Sequence, residues 1–600
     1  MKRSELEVNQ VISTFEHFLN PFQISAEQGQ QLFCLSSGKP ASPAVANDLL
    51  RYTQAGEHAV SEFIQTRLLS RTVKFHERMK KMSLQTFKSM AVQCTMSSSK
   101  KKTVEVKAER NLLGSLLVLS QHHKVNLERL FQHPVGPIPW ALATADGAPV
   151  KTDKSQIMHC IEALGEQHTT SLPESSVHVV DGNALLHAMV HLPETFEGLA
   201  TSVFNSLPRA DTVHFVTDTY LDNSIKQTER LRRGCSSTYL IGGVKTKLPR
   251  DFKTFLLSPE NKHQLLEFLL TEWQSERYAS KLHGRTVFFV RDKDCFCLTS
   301  VDGLTVAATQ TLELVSNQEE ADTRIILHCL HAAQQVPDTY GIVVRSPDTD
   351  VFVLLLHYSF RIPHQLLFDT GCSSNRRVLD VHKLAKELEP DVCAALPSFH
   401  AFTGCDSTSA FVRKGKRVPF KLLCNNQDAV DAFKNLGTTP NSISEAAAKD
   451  LEKFVCSMYG KPTFSDIDKL RYETFRSRYE VRTHQTTTCV QNGVDISLLP
   501  PCRSSLKKHC QRVNYQAYIW KHAHIPQLEL PSPIGCGWKL DQEGHFIVDW
   551  IENALPQQFV EVLTESAHRE SEVETLEYVE EDEIDNILDA VFDDDIEEQD

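Results

Sequence analysis

Acidic residues end five apolar runs of this chain, and they follow one another in a definite order. The runs are VHVVD, VHFVTD, QEEADTR, VVRSPDTDVFVLLL and AFTGCDS, and their acidic residues of interest are Asp181, Asp218, Glu320, Asp322, Asp348, Asp350 and Asp406. Carboxylates at the ends of buried strands or helices can converge at one edge of a sheet, where their oxygens bind hard divalent cations. Metal-assisted phosphodiester cleavage requires such convergence. A single strand-end Asp is more often a helix cap, so the ordered set carries the prediction.

The elements that must position these acids alternate between strands and helices from about residue 175 onward. The predicted strands are SSVHVVD, DTVHFVTD, RTVFFVRD, LTVAATQTLEL and YGIVVRS, and QEEADTRIILHCLHAAQQ is a predicted helix with an acidic first turn. This alternation indicates an α/β fold with a mostly parallel central sheet flanked by helices. In doubly wound sheets the carboxyl ends of the strands form the ligand crevice, and we expect Asp181, Asp218, Asp348 and Asp350 there.

Five regions are predicted along the chain, because 600 residues exceed one ordinary core. They are a helical N-terminal region with a basic linker (1–110), a connecting region (111–175), the α/β domain (176–425), a helical and irregular C-terminal accessory region (426–560) and an acidic tail (561–600). The tail contains eighteen Asp and Glu residues and one Arg, so the net charge of -14 leaves the other 560 residues at about +3. A mildly basic body is compatible with a polyanionic partner.

Composition excludes several classes of protein. No run of about 18 uncharged apolar residues exists, and the first residues, MKRSELEVNQVISTF, contain no apolar signal region. The sixteen cysteines form no CxxC framework, which is typical of reduced thiols. We therefore expect an intracellular protein without a membrane partner, located in the nucleus or, alternatively, in the cytoplasm. The segment MSSSKKKTVEVKAER (96–110) is either a solvated linker or a nuclear-import or phosphate-contacting patch.

In their order, VVDGNALLH, VTDTYLDNSIKQTERLRRG, QEEADTR, SPDTDVFVLL and FTGCDS resemble the flap endonuclease/XPG-like nucleases of the PIN-like domain superfamily. The resemblance spans about residues 176–425 and implies a PIN-like, Rossmann-like fold. It also implies two Mg²⁺ or Mn²⁺ ions and hydrolysis of phosphodiester bonds in DNA or RNA, with structure-selective cleavage as a further expectation. By this resemblance, the first ion would be surrounded by Asp181, Asp218, Glu320 and Asp322, and the second by Asp348, Asp350 and Asp406. The alternative function is a catalytically inactive nucleic-acid-binding or protein-interaction scaffold on the same fold.

Basic residues follow two of the acidic motifs. Related nucleases place a Lys and an Arg after the second aspartate to contact the scissile phosphate, and the resemblance implies that role for Lys226 with Arg230 or Arg232, and nucleic-acid contact for Arg233. The alternative is a solvated basic face. After Asp406, the residues Lys414, Gly415 and Lys416 form a basic turn that enters a helix. Related nucleases hold a duplex backbone at this point, so we expect these three residues to contact phosphates.

Several features depart from the resemblance or leave alternatives open. Asp181 lies behind about 175 residues, whereas related enzymes begin with this strand, and about 100 residues separate Asp218 from Glu320. Seven residues offer a zinc set without a CxxC pair, and ordinary buried thiols and surface histidines are its alternative: Cys489, Cys502, His509, Cys510, His522, His524 and Cys536. The segment RSSLKKHCQRVNYQAYIWKHAH is either a nucleic-acid contact or a packed helix.

The acidic tail has apolar residues at helical spacing, namely Ile584, Ile587, Leu588, Val591 and Phe592. These residues would bind a protein partner or the nucleic-acid channel, and a solubilising tail is the alternative.

Overall fold

The computed structural model describes residues 32, 41, 43–76, 126–134, 138–144, 147–164, 171–220, 224–226, 238–371, 375–482, 488–490, 495–541 and 544–552. The chain divides into two compact units, Met1–Leu112 and Leu113–Asp600. The predicted basic linker and acidic tail, with the apolar stripe of the tail, lie outside the described residues. The five predicted regional boundaries stay predictions.

In the first unit, helix α1 (Pro43–Phe63) continues into a π-helical segment, Ile64–Leu69. The described helix stops at Leu69. The guanidinium of Arg67 donates hydrogen bonds to the carbonyls of Lys74 and Phe75, at 2.8 and 2.9 Å, so the following residues turn back on the helix.

The second unit is built on an eight-stranded sheet with strand order β5-β4-β3-β2-β1-β6-β7-β8. Strands β3, β2, β1, β6 and β7 run parallel, and β4, β5 and β8 pair antiparallel. Their bounds are Ser176–Asp181 (β1), Thr212–Val216 (β2), Thr286–Arg291 (β3), Asp294–Thr299 (β4), Ala307–Gln310 (β5), Gly341–Arg345 (β6), Gln365–Thr370 (β7) and Arg377–Asp380 (β8). The predicted α/β class with a mostly parallel sheet is confirmed.

The chain order creates a switch point between β1 and β6. From β1 the chain builds the sheet in one direction through β2 and β3, and it returns to the other side of β1 with β6 and β7. Val179 of β1 pairs in register with His214 of β2 and Val344 of β6. The carboxyl ends of β1 and β6 therefore open a crevice between diverging connections, which is the ordinary ligand position in doubly wound sheets.

Helices cover both faces of the sheet. Val179 belongs to one apolar core and Val180 to another, because successive strand residues point to opposite faces. Among the described residues, the helices of the second unit with defined bounds are α2 (Leu127–Phe131), α3 (Ser155–Glu162), α4 (Gly182–His187), α5 (Phe196–Ser206), α6 (Phe252–Phe255), α7 (Pro259–Trp273), α8 (Ala279–Leu282), α9 (Ala321–Gln335), α10 (Thr349–Tyr358), α11 (Val381–Leu388), α12 (Pro390–Phe402), α13 (Arg417–Cys424), α14 (Gln427–Asn435), α15 (Glu445–Met458), α16 (Ile467–Tyr479) and α17 (Arg503–Lys521). Helices α9 and α10 contribute to the first core, and α5 and α7 to the second.

Short elements complete the second unit. They are the 3₁₀ turns Glu276–Tyr278, Leu312–Leu314, Ser359–Arg361 and Ile496–Leu498, and two small hairpins formed by β9 (Glu480–Arg482) with β10 (Thr488–Val490) and by β11 (Trp538–Leu540) with β12 (Phe546–Val548). No helix in the described part of the chain combines the length and apolar character needed to cross a membrane.

The helices after residue 426 share the first core with the sheet. Helix α12 lies at the junction, where the rings of Phe399, Phe402, Phe433 and Phe454 stand with centroids 5.2–6.3 Å apart. The same core contains Ile342 of β6, so it runs from the sheet into the C-terminal helices without a break. The α/β part and the C-terminal helices therefore stabilise each other.

Removing one ring from this junction tests the shared core. Phe433 is fully buried, so we expect Phe433→Ala to lower the free energy of unfolding by about 3–5 kcal/mol. The matched control is Phe360→Ala, because Phe360 is 57% exposed, and we expect a change within about 0.5 kcal/mol. Urea denaturation of the full chain measures both. Equal effects of the two substitutions would contradict the shared core.

Candidate metal centre

The first two aspartates lie just beyond neighbouring parallel strands. Asp181 ends β1, and its carboxylate accepts hydrogen bonds from the Ala184 backbone N–H at 2.9 Å and the Ser346 hydroxyl at 2.9 Å. Asp218 follows β2, and its carboxylate accepts the Ala321 N–H at 2.8 Å, at the start of α9. Both residues thus hold helix N-termini while they face the crevice at the carboxyl edge of the sheet.

Two glycines, next to Asp181 and near Asp406, occupy positions where a side chain would clash with neighbouring atoms. A Cβ on Gly182 would stand 2.7 Å from the Phe215 ring, so the residue after Asp181 has no room for a side chain. Gly404 has a φ of +104°, and a Cβ there would stand 2.9 Å from the Ala410 backbone nitrogen. Only glycine adopts this backbone without strain, which explains the glycine two residues before Asp406.

The acidic pair at the start of α9 points in two directions. Glu320 is 8% exposed; one of its oxygens lies 2.7 Å from the Lys226 amine, and the other lies 3.4 Å from the Trp520 indole nitrogen. Asp322, in the first helical turn, lies instead with Asp348 and Asp350. These three carboxylates each offer an oxygen within 4.8 Å of the others. They are the only such acidic, His or Cys group in the described part of the chain.

This grouping differs in one respect from the sets that the resemblance implies. Asp322 was expected with the first set, yet its closest acidic neighbours are Asp348 and Asp350 of the second set. The two sets therefore meet at Asp322. Asp181, Asp218 and Glu320 lie at the same edge, close enough for their charges to interact. The charges of Asp218 and Asp348 raise the pKa of Asp181, and the charge of Glu320 raises the pKa of Asp322.

Asp406 joins the cluster through a lysine that the sequence analysis did not identify. The Lys154 amine lies 3.6 Å from Asp348, 3.0 Å from Asp350 and 2.9 Å from Asp406. The Lys151 amine donates to the Asp406 backbone carbonyl at 2.7 Å. The segment before α3, about 250 residues away in sequence, therefore holds the Asp406 loop against the acidic pair.

Burial and mutual repulsion disfavour the charged state of the central acids. Burial raises the pKa of Asp322 well above its ordinary value, and the charges of Asp348 and Asp350 raise it further. The pKa values of those two residues are raised as well, again chiefly by burial. Protonation or a divalent cation can relieve such crowding.

Asp406 and the two lysines show the opposite balance. Burial alone would raise the pKa of Asp406, but the charges of Lys154 and Lys226 outweigh it and lower that pKa to about 2. Burial alone would lower the pKa of each lysine, yet the surrounding carboxylates raise both values above the ordinary one. Asp406, Lys154 and Lys226 are consequently charged around neutral pH.

A buried histidine fixes one member of the triad. His400 lies on α12 and is fully buried, and its Nε2–H donates to Asp350 at 2.8 Å. Burial, together with the charges of Lys416 and Lys154, holds the pKa of His400 well below its ordinary value, so the ring is neutral. No local pattern marks His400 as a functional residue, because SFHAF is typical of an ordinary packed helix.

Helix α17 supports the centre from behind. The Trp520 ring lies 5.8 Å from the His400 ring, Gln516 accepts the Ser407 hydroxyl at 2.7 Å, and His509 bonds to the Phe402 carbonyl at 2.9 Å. These contacts favour the packed-helix alternative for this segment.

The basic residues of interest are distributed unevenly. Lys226 lies in the cluster, whereas Arg230, Arg232 and Arg233 lie outside the described residues. The expected phosphate contact of Lys416 needs correction: this residue has no exposed surface, and its amine donates to the His400 carbonyl and the Thr403 hydroxyl at 2.9 and 2.8 Å. Burial lowers its pKa to about 7.

The two residues before Lys416 stay nearer the surface. The Lys414 amine stands 4.3 Å from the centre of the Tyr459 ring, a cation–π contact, and Gly415 is exposed. A Cβ on Gly415 would stand 2.7 Å from the side-chain oxygen of Gln156, which also accepts the Lys416 N–H at 3.3 Å. The turn therefore docks on α3, and it leads into helix α13 as expected.

The suggested zinc set is not assembled among the described side chains. His509 bonds to a backbone carbonyl, and the Cys536 sulfur lies 3.4 Å from the side-chain oxygen of Asn441. Among the described residues, only the acidic triad brings three or more potential metal-ligand side chains together. The side chain of Cys489 lies outside the described residues. Ordinary buried thiols and packed histidines account for the described members.

Comparisons with known proteins add no family assignment. The sequence matches no protein-family model, and no curated protein is significantly similar to it. The likeness to flap endonucleases therefore rests on the ordered motifs alone, and both the PIN-like family and its chemistry stay proposals. Support for a metal site therefore depends on the distances, burial and charges of the acidic cluster itself.

The raised pKa of Asp181 leads to a testable pH dependence. Burial, helped by the charge of Asp218, raises this pKa from 3.8 to about 7. The stabilising contribution of the protonated group is therefore complete below about pH 4 and is lost as the pH rises through 7. In EDTA, we expect the free energy of unfolding of Asp181→Asn, relative to that of wild type, to increase by about 1–3 kcal/mol as the pH is raised from 5 to 8. Urea denaturation at both pH values measures this, and parallel profiles for the two proteins would contradict it.

Proposed function

We propose that the protein is a divalent-metal-dependent nuclease that hydrolyses phosphodiester bonds in DNA or RNA. The observation that carries the proposal is the triad of Asp322, Asp348 and Asp350, whose oxygens approach within 4.8 Å at the switch-point edge of a parallel sheet. Such an edge is a common ligand position. The ordered motifs supply independent support, since they match the order of acids in flap endonuclease-like enzymes of the PIN-like superfamily.

The donor set fits Mg²⁺ or Mn²⁺. All the grouped side chains offer carboxylate oxygens, the ligands that hard cations prefer, and the raised pKa values of the three acids show that their charged forms are disfavoured without a cation. When bound, such a cation supplies a water of lowered pKa and neutralises charge on the reacting phosphate. The triad is surrounded by four further acids that are suited to hold the cation directly or through water: Asp181, Asp218, Glu320 and Asp406.

The chain's own groups would position the phosphodiester and keep the acids in place. Lys226 carries a positive charge beside Glu320 and is suited to draw a phosphate toward the edge. His400 holds Asp350 in a fixed orientation, and Ser346 does the same for Asp181. Hydrogen bonds of this kind fix ligand orientation before a substrate arrives, which lowers the cost of reorganisation.

One observation favours the inactive scaffold as a second candidate. Lys154 and Lys226 already pair with four of the seven carboxylates, so part of the acidic charge is neutralised by the protein itself. A scaffold that binds nucleic acid without turnover needs no metal. The two candidates differ in one measurable respect, because only the enzyme couples its activity to the central acids and to divalent cations.

Removing the charge of two central acids tests the enzyme proposal. We expect Asp348→Asn/Asp350→Asn to lose at least about 100-fold of the Mg²⁺- or Mn²⁺-dependent cleavage rate while nucleic-acid binding is retained. The measurement is a cleavage screen over flaps, bubbles, hairpins and single strands of DNA and RNA, with and without each metal. Binding is followed separately by fluorescence anisotropy in EDTA.

A second strand-end aspartate provides the matched control. Asp380 ends β8 and caps α11 by accepting the Lys383 N–H at 3.1 Å, and its carboxylate also lies 3.5 Å from the Lys383 amine, outside the acidic cluster. We expect Asp380→Asn to cleave at the wild-type rate, because asparagine caps a helix as well as aspartate does. Equal cleavage by the double variant and wild type, or no cleavage of any substrate by wild type, would overturn the enzyme proposal.

Metal binding itself gives a separate readout. A cation that binds only the folded chain stabilises it by about 2.7 kcal/mol at a concentration of 100 times its Kd. We expect Mn²⁺ to raise the melting temperature of the wild type and to have much less effect on Asp348→Asn/Asp350→Asn. Differential scanning fluorimetry with and without EDTA checks this, and identical shifts for both proteins would show that the ion binds elsewhere.

A further inference from the structure

Lys154 occupies the space among three carboxylates that the resemblance assigns to a second cation. Its amine is 2.9 Å from Asp406, 3.0 Å from Asp350 and 3.6 Å from Asp348, so it contacts every acid of that set. Only 23% of the Lys154 side chain is exposed. A positive charge supplied by the chain thus lies where the expected second ion would bind.

The position of Lys154 is fixed by the elements around it. Helix α3 begins one residue later, and its apolar residues Ile157 and Ile161 are fully buried in the first core. Gln156, two residues from Lys154, accepts the backbone N–H of Lys416, which ties α3 to the turn after Asp406. The side chain therefore extends from a packed helix start rather than from an isolated loop.

We propose that this centre holds one divalent cation, at Asp322, Asp348 and Asp350, and that Lys154 supplies the positive charge in place of a second ion. The inference rests on the proposed function for the identity of the centre. It departs from the pair of ions that the resemblance implies, and it assigns Lys154 as a residue that sets metal stoichiometry.

Electrostatics support the exclusion of a second ion. Two cations within a few ångströms of the same oxygens repel each other strongly, and the repulsion is greater in a partly buried site than in water. A divalent ion bound to Asp406 and Asp350 would have to displace the Lys154 amine from both carboxylates. A cation at the triad displaces less of the Lys154 pairing, since the third member, Asp322, forms no ion pair with Lys154 among the described residues.

Lys226 extends the same arrangement to the other side of the centre. Its amine contacts Glu320 at 2.7 Å, and the charges of Asp322, Asp218 and Asp406 also act on it. The two lysines thus flank the triad, one toward Glu320 and one toward Asp406. Within the triad, Asp348 and Asp350 pair with Lys154, whereas no ion pair between described residues joins Asp322 to either lysine.

The test is the number of Mn²⁺ ions bound per chain. Purified full-length wild type, Lys154→Met and Lys383→Met are titrated with Mn²⁺, and the bound ion is counted by equilibrium dialysis and electron paramagnetic resonance. Methionine keeps the length and apolar character of the lysine stem while removing its charge. Lys383→Met is the matched control, because the Lys383 amine lies 3.5 Å from Asp380, a strand-end aspartate outside the acidic cluster.

We expect one ion per chain in wild type and in Lys383→Met. In Lys154→Met we expect two, with Mn²⁺ at the second position bound at least about tenfold more tightly than in wild type. Two ions in wild type at low Mn²⁺, or one ion with unchanged affinity in Lys154→Met, would overturn the proposal. The wild-type count decides the question on its own if Lys154→Met does not fold.

The outcomes separate this inference from the proposed function. One Mn²⁺ per wild-type chain without cleavage of any substrate supports the single-ion centre and contradicts the nuclease. Two ions with cleavage contradict the single-ion centre and support the nuclease. No bound Mn²⁺ contradicts both.

Discussion

Repulsion among carboxylates gathered at one sheet edge is the constraint on which the rest of this structure depends. Asp322, Asp348 and Asp350 lie close together and partly out of water, where their charges stabilise neither the fold nor one another. The chain compensates with Lys154 and Lys226, which come from segments before β1 and after β2. Elements far apart in sequence must therefore be folded together before the acidic edge is tolerated.

The packing around the acids follows from the same constraint. Each carboxylate needs donors, and the donors come from helix N-termini, from Ser346 and from the buried His400. His400 is placed by α12, and α12 is held between the sheet and the C-terminal helices by the ring cluster around Phe433. A region that the sequence presents as accessory is thus part of the support of the acidic edge.

The sequence predicts those parts of the fold that depend on local pattern. Alternating apolar runs identify β1, β2, β3 and β6, and apolar spacing identifies helices α7, α9, α14 and α15. The strands β4, β7 and β8 were not predicted. The sequence of β4, DCFCLT, is half polar, and that of β8, RVLD, is very short. Each forms a strand because it pairs with a neighbouring strand, β4 with β3 and β8 with β7. The turn from β3 to β4 needs a positive φ of 49° at Asp292, a conformation for which the residue type is only a weak signal.

The site was predictable where it depends on strand ends and unpredictable where it depends on contacts through space. The order of the acidic motifs indicated the seven carboxylates. Nothing in VKTDKSQ distinguishes Lys154 from a surface lysine, because its three partners lie about 200–250 residues away. Lys416 shows the reverse error: KGK reads as an exposed basic turn, but docking of α3 and α12 removes its amine from water.

The contact between Trp520 and Glu320 bears on when this edge becomes complete during synthesis. A nascent chain that has reached residue 500 contains all seven carboxylates and both lysines, but it lacks α17. Trp520, Gln516 and His509 are the groups by which α17 supports the acidic edge and the Asp406 loop. Contacts across 200 residues close late because loop closure costs entropy before it is rewarded. The acidic residues are therefore synthesised before helix α17. Until α17 has been added, the incomplete chain on the ribosome contains the acidic edge without the helix that packs against it.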